Sequence, residues 1–382
     1  MIATLGAQFL SALADNALLF AAIALVRKQS YPAWSGPLLQ EFFVVTYILL
    51  APFVGAFSDN RPKAQVMLFA NLVKFLGALG MCLGVNPFLS YALVGTGAAG
   101  YSPAKYGILG ELTTSQLLVK ANGLLEASTI AAILLGAVAG GALADWSVEG
   151  ALMAITVCYA AAASSTLFIP RRQRVVPTTR FSFIESIRTF ASQTASLLKS
   201  DKARLALIGT ALFWGAGAAL RFLVIDWAPV ALKVTNNRLP AFLTAMVAAG
   251  IVVGAGLAAR FVRIEHVNRA LPAGVLIGVC VCLLPLAGTQ PTAFIVMALV
   301  GTCSGFFIVP LDALLQKEGE DSVGVGSAIA IQNFFENIAM LALVSGYTVA
   351  SFLHVHPNEI AVGFGLFLAL SMGALTLTRR RA

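Results

Sequence analysis

Residues 2–26 read IATLGAQFLSALADNALLFAAIALV, a stretch in which Asp15 is the single charge. A helix that crosses the hydrocarbon core of a bilayer needs about 20 mostly apolar residues, because each adds about 1.5 Å to a layer about 30 Å thick. The stretch meets that requirement and predicts a membrane-spanning helix. Ala12-Leu13-Ala14 has the small-x-small form of a secretory cleavage site. A cleaved leader, however, carries positive charge before its apolar core, and here the first charge is Asp15. The stretch therefore reads as an uncleaved span.

Working outward, similar runs lie near 39–57, 65–85, 89–108, 121–144 and 149–169, and again near 205–228, 239–259, 270–287, 292–314, 325–353 and 360–377. Tyr31-Pro32, Asn86-Pro87, Thr289-Gln290-Pro291 and His356-Pro357-Asn358 punctuate them as turns do. The expected fold is an all-α polytopic membrane protein of twelve transmembrane helices. An N-terminal six-helix half covers 1–170, a cytoplasmic linker 171–204 and a C-terminal six-helix half 205–382. Composition agrees, with 59% hydrophobic and 11% charged residues and a mean hydropathy of +0.87. Soluble domains carry about 25% charge because water must be met over the whole exterior.

The net charge of +8 does not point to nucleic acid, since the basic residues are scattered between apolar runs and form no concentrated face. They are instead sorted by side. One set of turns receives 18 of them, including Arg171, Arg172, Arg174, Arg180, Arg188, Lys199, Lys202 and Arg204 of the linker. The other receives Arg27, Lys28, Lys233 and Arg238. Retained loops are enriched in Lys and Arg, so both termini are expected in the cytoplasm. Cys82, Cys158, Cys280, Cys282 and Cys303 all lie in apolar runs without metal-ligand spacing. Neither a disulfide, a metal site nor a cofactor is expected.

The two halves echo each other. Val94-Gly95-Thr96 and Val300-Gly301-Thr302 each lead to a proline, Pro103 and Pro310, and then to a charge two positions on, Lys105 and Asp312. Such repetition suggests duplicated halves with the substrate site between them near the midplane.

A charge at the centre of a span costs about 2.5–3.5 kcal/mol, so each one needs a partner or a polar cavity. Asp15 and Asn16 lie in the first span, Lys74 in the third, Lys105 and Glu126 in the fourth and fifth, and Arg221 in the seventh. The eleventh carries Gln332, Asn333, Glu336 and Asn337, with Gln332 and Glu336 four apart on one face. The candidate substrate-binding residues are Asp15, Asn16, Lys105, Glu126, Arg221, Gln332, Asn333 and Glu336. Because the first and seventh spans correspond, Asp15 and Arg221 are in a position to face one cavity, and pairing between them stays open. Snorkelling to water is the competing reading for Lys105 and Glu126. No nucleophile–base pair appears, so an enzyme is not expected.

After the second span, Gly55-Ala56-Phe57-Ser58-Asp59-Asn60-Arg61-Pro62-Lys63 places an aspartate four residues after a glycine and basic residues after that. This resembles the signature between helices 2 and 3 of the major facilitator superfamily. Gly55, Asp59, Arg61 and Lys63 are therefore expected to latch one closed state, the basic residues pairing across the cytoplasmic rim. The equivalent second-half segment, 256–263, lacks the aspartate and should latch less firmly.

Longer stretches carry a closer likeness. Gln8-Phe9-Leu10-Ser11-Ala12 through Asp15-Asn16-Ala17, Tyr101-Ser102-Pro103-Ala104-Lys105-Tyr106-Gly107, Lys120-Ala121-Asn122-Gly123 with Glu126, and Phe213-Trp214-Gly215 with Arg221 resemble the bacterial lysophospholipid transporters. Ser327 stands where that family is expected to have asparagine. The resemblance implies a major facilitator fold in the inner membrane of a Gram-negative bacterium. It implies alternating access that flips lysophospholipids, lysophosphatidylethanolamine above all, to the cytoplasmic leaflet. It implies, further, that an acyl-acyl carrier protein synthetase/acyltransferase would re-acylate them there. That enzyme must be a separate chain, because its histidine-then-aspartate motif is missing: five residues after His266, His354 and His356 stand Leu271, Glu359 and Ala361. The alternative reading is a major facilitator exporter of drugs or small soluble metabolites.

Overall fold

The computed structural model describes residues 2–59, 61–112, 115–169, 183–234, 238–262 and 264–380. Some side chains on the helices, those of Asp59 and Glu126 among them, and the surroundings of Gly55 lie outside that description. The described chain is helical, with no strand. Its first helices are α1 (Ile2–Lys28), α2 (Ser35–Asp59), α3 (Lys63–Cys82), α4 (Pro87–Leu112), α5 (Ser115–Trp146) and α6 (Val148–Leu167). A shorter helix, α7 (Phe183–Lys199), comes next. The rest are α8 (Asp201–Leu232), α9 (Arg238–Phe261), α10 (Leu271–Cys282), α11 (Gln290–Glu320), α12 (Val325–Phe352) and α13 (Pro357–Arg380).

Among the described residues, nine helices are long and apolar enough to cross a membrane. Length and composition alone thus stop short of the expected twelve. The clearest departure is at 270–287, where a single span was expected. There α10 ends after 12 residues and gives way to a 3-10 turn at Leu284–Leu286. Pro285 has no N–H with which to continue the α-helical ladder. The expected linker also holds a helix that apolar run length does not reveal. Phe183, Ile187, Phe190, Thr194 and Leu197 recur at helical spacing and give α7 one apolar stripe.

The chain divides into two compact units, Met1–Thr189 and Phe190–Ala382. In the first, α1 packs on α5 and α6, α3 on α4 and α6, and α2 on α4. In the second, α8 packs on α12 and α11, α9 on α11, and α10 on α13 and α11. Of the nine long, apolar helices among the described residues, α1 and α8 are the most enclosed in their units.

Lipid is as apolar as leucine, so helices in a bilayer gain by bringing small residues together and letting backbones approach. The α9–α11 seam shows this best. Gly250 and Gly254 face Gly301 and Gly305, each set spaced four apart. A Cβ on Gly254 would overlap the Thr302 carbonyl oxygen, and one on Gly301 the Val247 carbonyl oxygen. The first unit repeats the arrangement where the sequence echoes: a Cβ on Gly95 of α4 would lie 2.7 Å from the Phe43 carbonyl oxygen of α2. The next residues repeat it too, Thr96 Oγ1 donating to Ala92 O at 3.1 Å and Thr302 Oγ1 to Ala298 O at 2.8 Å. Pro103 and Pro310 lie inside α4 and α11.

Candidate functional site

In the first unit the polar residues converge on Lys74. Its position on α3 faces α1, α4 and α6, and its side chain is only 1% exposed. The ammonium donates to Asp15 Oδ2 of α1 at 2.7 Å and to Ser11 Oγ at 3.0 Å. It also lies 4.9 Å above the Tyr101 ring and 6.0 Å from that of Tyr159, where the ring quadrupole favours a cation. Asp15 Oδ1 accepts from the Tyr159 hydroxyl of α6 at 2.8 Å. Ser11 in turn donates to Asn71 Oδ1 at 2.8 Å. A buried ammonium is tolerable only when its donors are taken up and its charge is matched, and this set does both. Within its own half, the base that meets Asp15 is Lys74.

Asn16, beside it, donates to Ala12 O at 2.9 Å, a bond within α1. Two turns below, Gln8 Nε2 donates to Thr129 Oγ1 of α5 at 2.9 Å, and Thr129 donates on to Leu125 O. Lys105 sits half-buried on α4. Glu126 belongs to α5, with its side chain outside the described residues.

In the second unit the network is acid-rich. Gln332 Nε2 of α12 donates to Asp312 Oδ1 of α11 and to Glu336 Oε1 one turn along α12, each at 2.8 Å. Gln332 is 9% and Glu336 6% exposed. One neutral amide therefore spends both hydrogens holding two carboxylates together. Asn337 donates to Asn333 O at 2.7 Å, tying down the neighbouring stripe. Arg221 is half-buried on α8. Further along α8, Asp226 Oδ2 accepts from the Tyr347 hydroxyl of α12 at 2.7 Å.

In the segment expected to act as a latch, local contacts hold two of the basic residues. The nearly buried Lys63 ammonium donates to Ser58 O at 2.8 Å and to Ser58 Oγ at 3.3 Å. The Arg61 guanidinium lies 4.6 Å over the Phe57 ring. These contacts stay within the turn. The side chain of Asp59 and the surroundings of Gly55 fall outside the described residues.

Charge inside an apolar run is a signal that sequence supplies, and it marked Asp15, Lys74, Arg221 and Glu336. It did not single out Tyr159, Tyr347 or Asp226. A tyrosine is ordinary in a span, and Asp226 lies near the end of its run. Asp312 was visible only as half of the echo with Lys105.

The Major Facilitator Superfamily profile matches residues 4–344. The lysophospholipid transporter LplT of Escherichia coli is 53% identical over 381 residues, covering 100% of this chain and 96% of that protein. The protein of the same name from Salmonella arizonae is 54% identical over the same share. Among solved structures, the nucleoside transporter NupG superposes with a TM-score of 0.75 at 11% identity, covering 98% of this chain and 99% of that one. The human organic anion transporter MFSD10 gives 0.72 at 15%, covering 98% of each. At such identities the structures attest the fold alone. The chain belongs to the Major Facilitator Superfamily and, within it, to the LplT family.

Proposed function

We propose that the chain is a lysophospholipid transporter that moves its substrate by alternating access. The observation that carries this reading is 53% identity to LplT across essentially the whole of both chains. The chemistry is compatible. A lysophospholipid joins one acyl chain to a charged head, and the two ends need different solvents. The apolar helix faces suit the chain, while the charged and amide groups within the helices suit the head.

In this reading Arg221 takes the phosphate, because its planar fork matches two phosphate oxygens. Asp15 takes an ethanolamine ammonium. An ionised carboxylate has about four lone-pair sites, and Lys74 and Tyr159 use two of them. With the Asp15 side chain 26% exposed, a third donor has room to approach. Asn16, Lys105, Glu126, Gln332, Asn333 and Glu336 complete the polar surface offered to the head. Gly55, Asp59, Arg61 and Lys63 control which state is closed.

The protein would sit in a bacterial inner membrane with both termini cytoplasmic, as the sorting of its basic residues suggests. It would deliver substrate to a separate acyltransferase. Purified protein in vesicles tests the reading with fluorescent lysophosphatidylethanolamine added outside. Protection of the label from an external quencher should rise above that of protein-free vesicles. Arg221→Ala should lose most of that gain, whereas Arg238→Ala, changed at the exposed start of α9, should keep it. Vesicles that move a soluble drug or sugar but no lysolipid would overturn the assignment. Full activity in Arg221→Ala would remove Arg221 alone.

A further inference from the structure

α7 has an apolar stripe that the protein covers at one end only. Near its C-terminus, Leu197 is 1% exposed. At mid-helix the Phe190 ring packs edge-on against Phe334 of α12, with ring centroids 5.3 Å apart. Toward the N-terminus the stripe emerges: Ile184 is 81% and Ile187 49% exposed. Arg188 lies one turn beyond Ile184 on the same side of the helix.

The C-terminal end of α7 is fixed at the rim of two long apolar helices. Ser200 alone separates it from α8, a helix able to cross a membrane. Ser200 Oγ caps α8 by accepting from Ala203 N at 3.3 Å and donates to Glu318 Oε2 at 2.7 Å. Glu318 is in the last turn of α11, another such helix. The corner from which α7 leaves is therefore where two spans reach the bilayer surface. The charge of the segment has one sign: between residues 171 and 188 stand Arg171, Arg172, Arg174, Arg180 and Arg188 against the single acid Glu185. An amphipathic helix at the membrane surface, apolar on one side and flanked by arginines, has the composition of an interfacial helix on anionic lipid.

We propose that α7 is a membrane-surface strap, with Ile184 and Ile187 seated in the headgroup boundary of the bilayer the protein spans and Arg188 meeting anionic phospholipid. The anchor is built from the chain's own linker and is independent of what the protein transports.

The test uses the full chain in vesicles, with Cys82, Cys158, Cys280, Cys282 and Cys303 replaced by alanine. A bimane label is placed at Ile184→Cys, at Ile187→Cys or, on the polar face, at Ser196→Cys. Brominated phosphatidylglycerol should quench the label at 184 and 187 several-fold more than at 196. Quenching should fall when the acidic lipid is replaced by brominated phosphatidylcholine or when salt is raised. Labels at 184 and 187 that are quenched by aqueous iodide and untouched by brominated lipid would overturn the proposal. So would quenching indifferent to lipid charge and salt, or shielding that appears only when soluble protein is added. The unaltered chain gives a second reading if the cysteine-free form fails to fold. Trypsin cleavage after the exposed Arg188 should slow several-fold in discs containing phosphatidylglycerol, while cleavage after the exposed Lys233 stays constant. Equal slowing at both sites, or none, counts against the strap.

Discussion

In the first half Asp15 meets Lys74 at 2.7 Å, acid against base; in the second, Asp312 and Glu336 are held by the amide of Gln332, acid beside acid. The scaffold beneath these networks is repeated. Gly95 and Gly301 admit a neighbouring backbone at equivalent places, and Thr96 and Thr302 make the same bond one turn back. Two residues after the proline that follows, the halves part: Lys105 on α4, Asp312 on α11. Small residues and prolines set how the helices pack. The charges hung on that packing follow separate rules in each half.

The comparison breaks most visibly at Lys74. Lys74→Met keeps the aliphatic stem and removes the charge, leaving Asp15 beside Tyr159 without its base. Separating a buried pair costs about 3–5 kcal/mol, and the partial exposure of Asp15 places this variant at about 3 kcal/mol. A fall in thermal midpoint in detergent is the measurement. Adding Asp15→Asn should restore most of it, because the stranded charge is then gone. If the double variant is no better than the single one, stability lies in the shape of Lys74 and not in its charge.

Gln332→Leu addresses the second half. It removes two hydrogen bonds to carboxylates, each worth about 1.5–3 kcal/mol, but the acids can spread toward water and recover part of that. The expected net loss is about 2 kcal/mol on the same scale, smaller than at Lys74 because no opposite charge is stranded. A loss larger than that of Lys74→Met would reverse the ranking of the two networks. Gly254→Ala comes next, at about 1–2 kcal/mol, within the usual range for overpacking, since its methyl would strike the Thr302 carbonyl. Gly256→Ala on the same helix has nothing within 4 Å and should be neutral. Equal behaviour of the two variants would dissolve the seam argument.

Most of the fold could be read from run length alone, because a bilayer demands long apolar segments and this chain supplies them. What escaped had a physical cause. α7 is amphipathic and sits among charges, so a search for apolar runs passes over it. α10 is cut short at Pro285, whose effect is on hydrogen bonding and leaves hydropathy unchanged. At the site, a charge in an apolar run is conspicuous, and Asp15 and Lys74 were both visible. Their partnership was not, since the two residues stand 59 positions apart and only the packing of α1 and α3 on their shared neighbour α6 brings them together. Tyr159 and Tyr347 carry no charge and left no mark.

The smallest effect belongs to a second ion pair of the first half. At the end of α1, Lys28 meets Glu149 of α6 at 2.5 Å, close to the separation of Lys74 and Asp15. By distance alone the two pairs should matter equally. Burial separates them: the Lys28 and Glu149 side chains are 56% and 65% exposed, whereas Lys74 is 1% exposed. Water and salt already solvate each charge at the surface, and the pair gives up side-chain freedom to form. Glu149 is further served by Ser147, whose hydroxyl donates to it while capping α6 at Gly150 N. Removing Lys28 therefore leaves the carboxylate in water with a hydrogen-bond donor still beside it, and nothing is stranded. Lys28→Ala should leave the thermal midpoint within error of the native value at low and at high salt. A drop approaching that of Lys74→Met would show that separation outweighs burial in this protein, and the contrast drawn between its charges would have to be rebuilt.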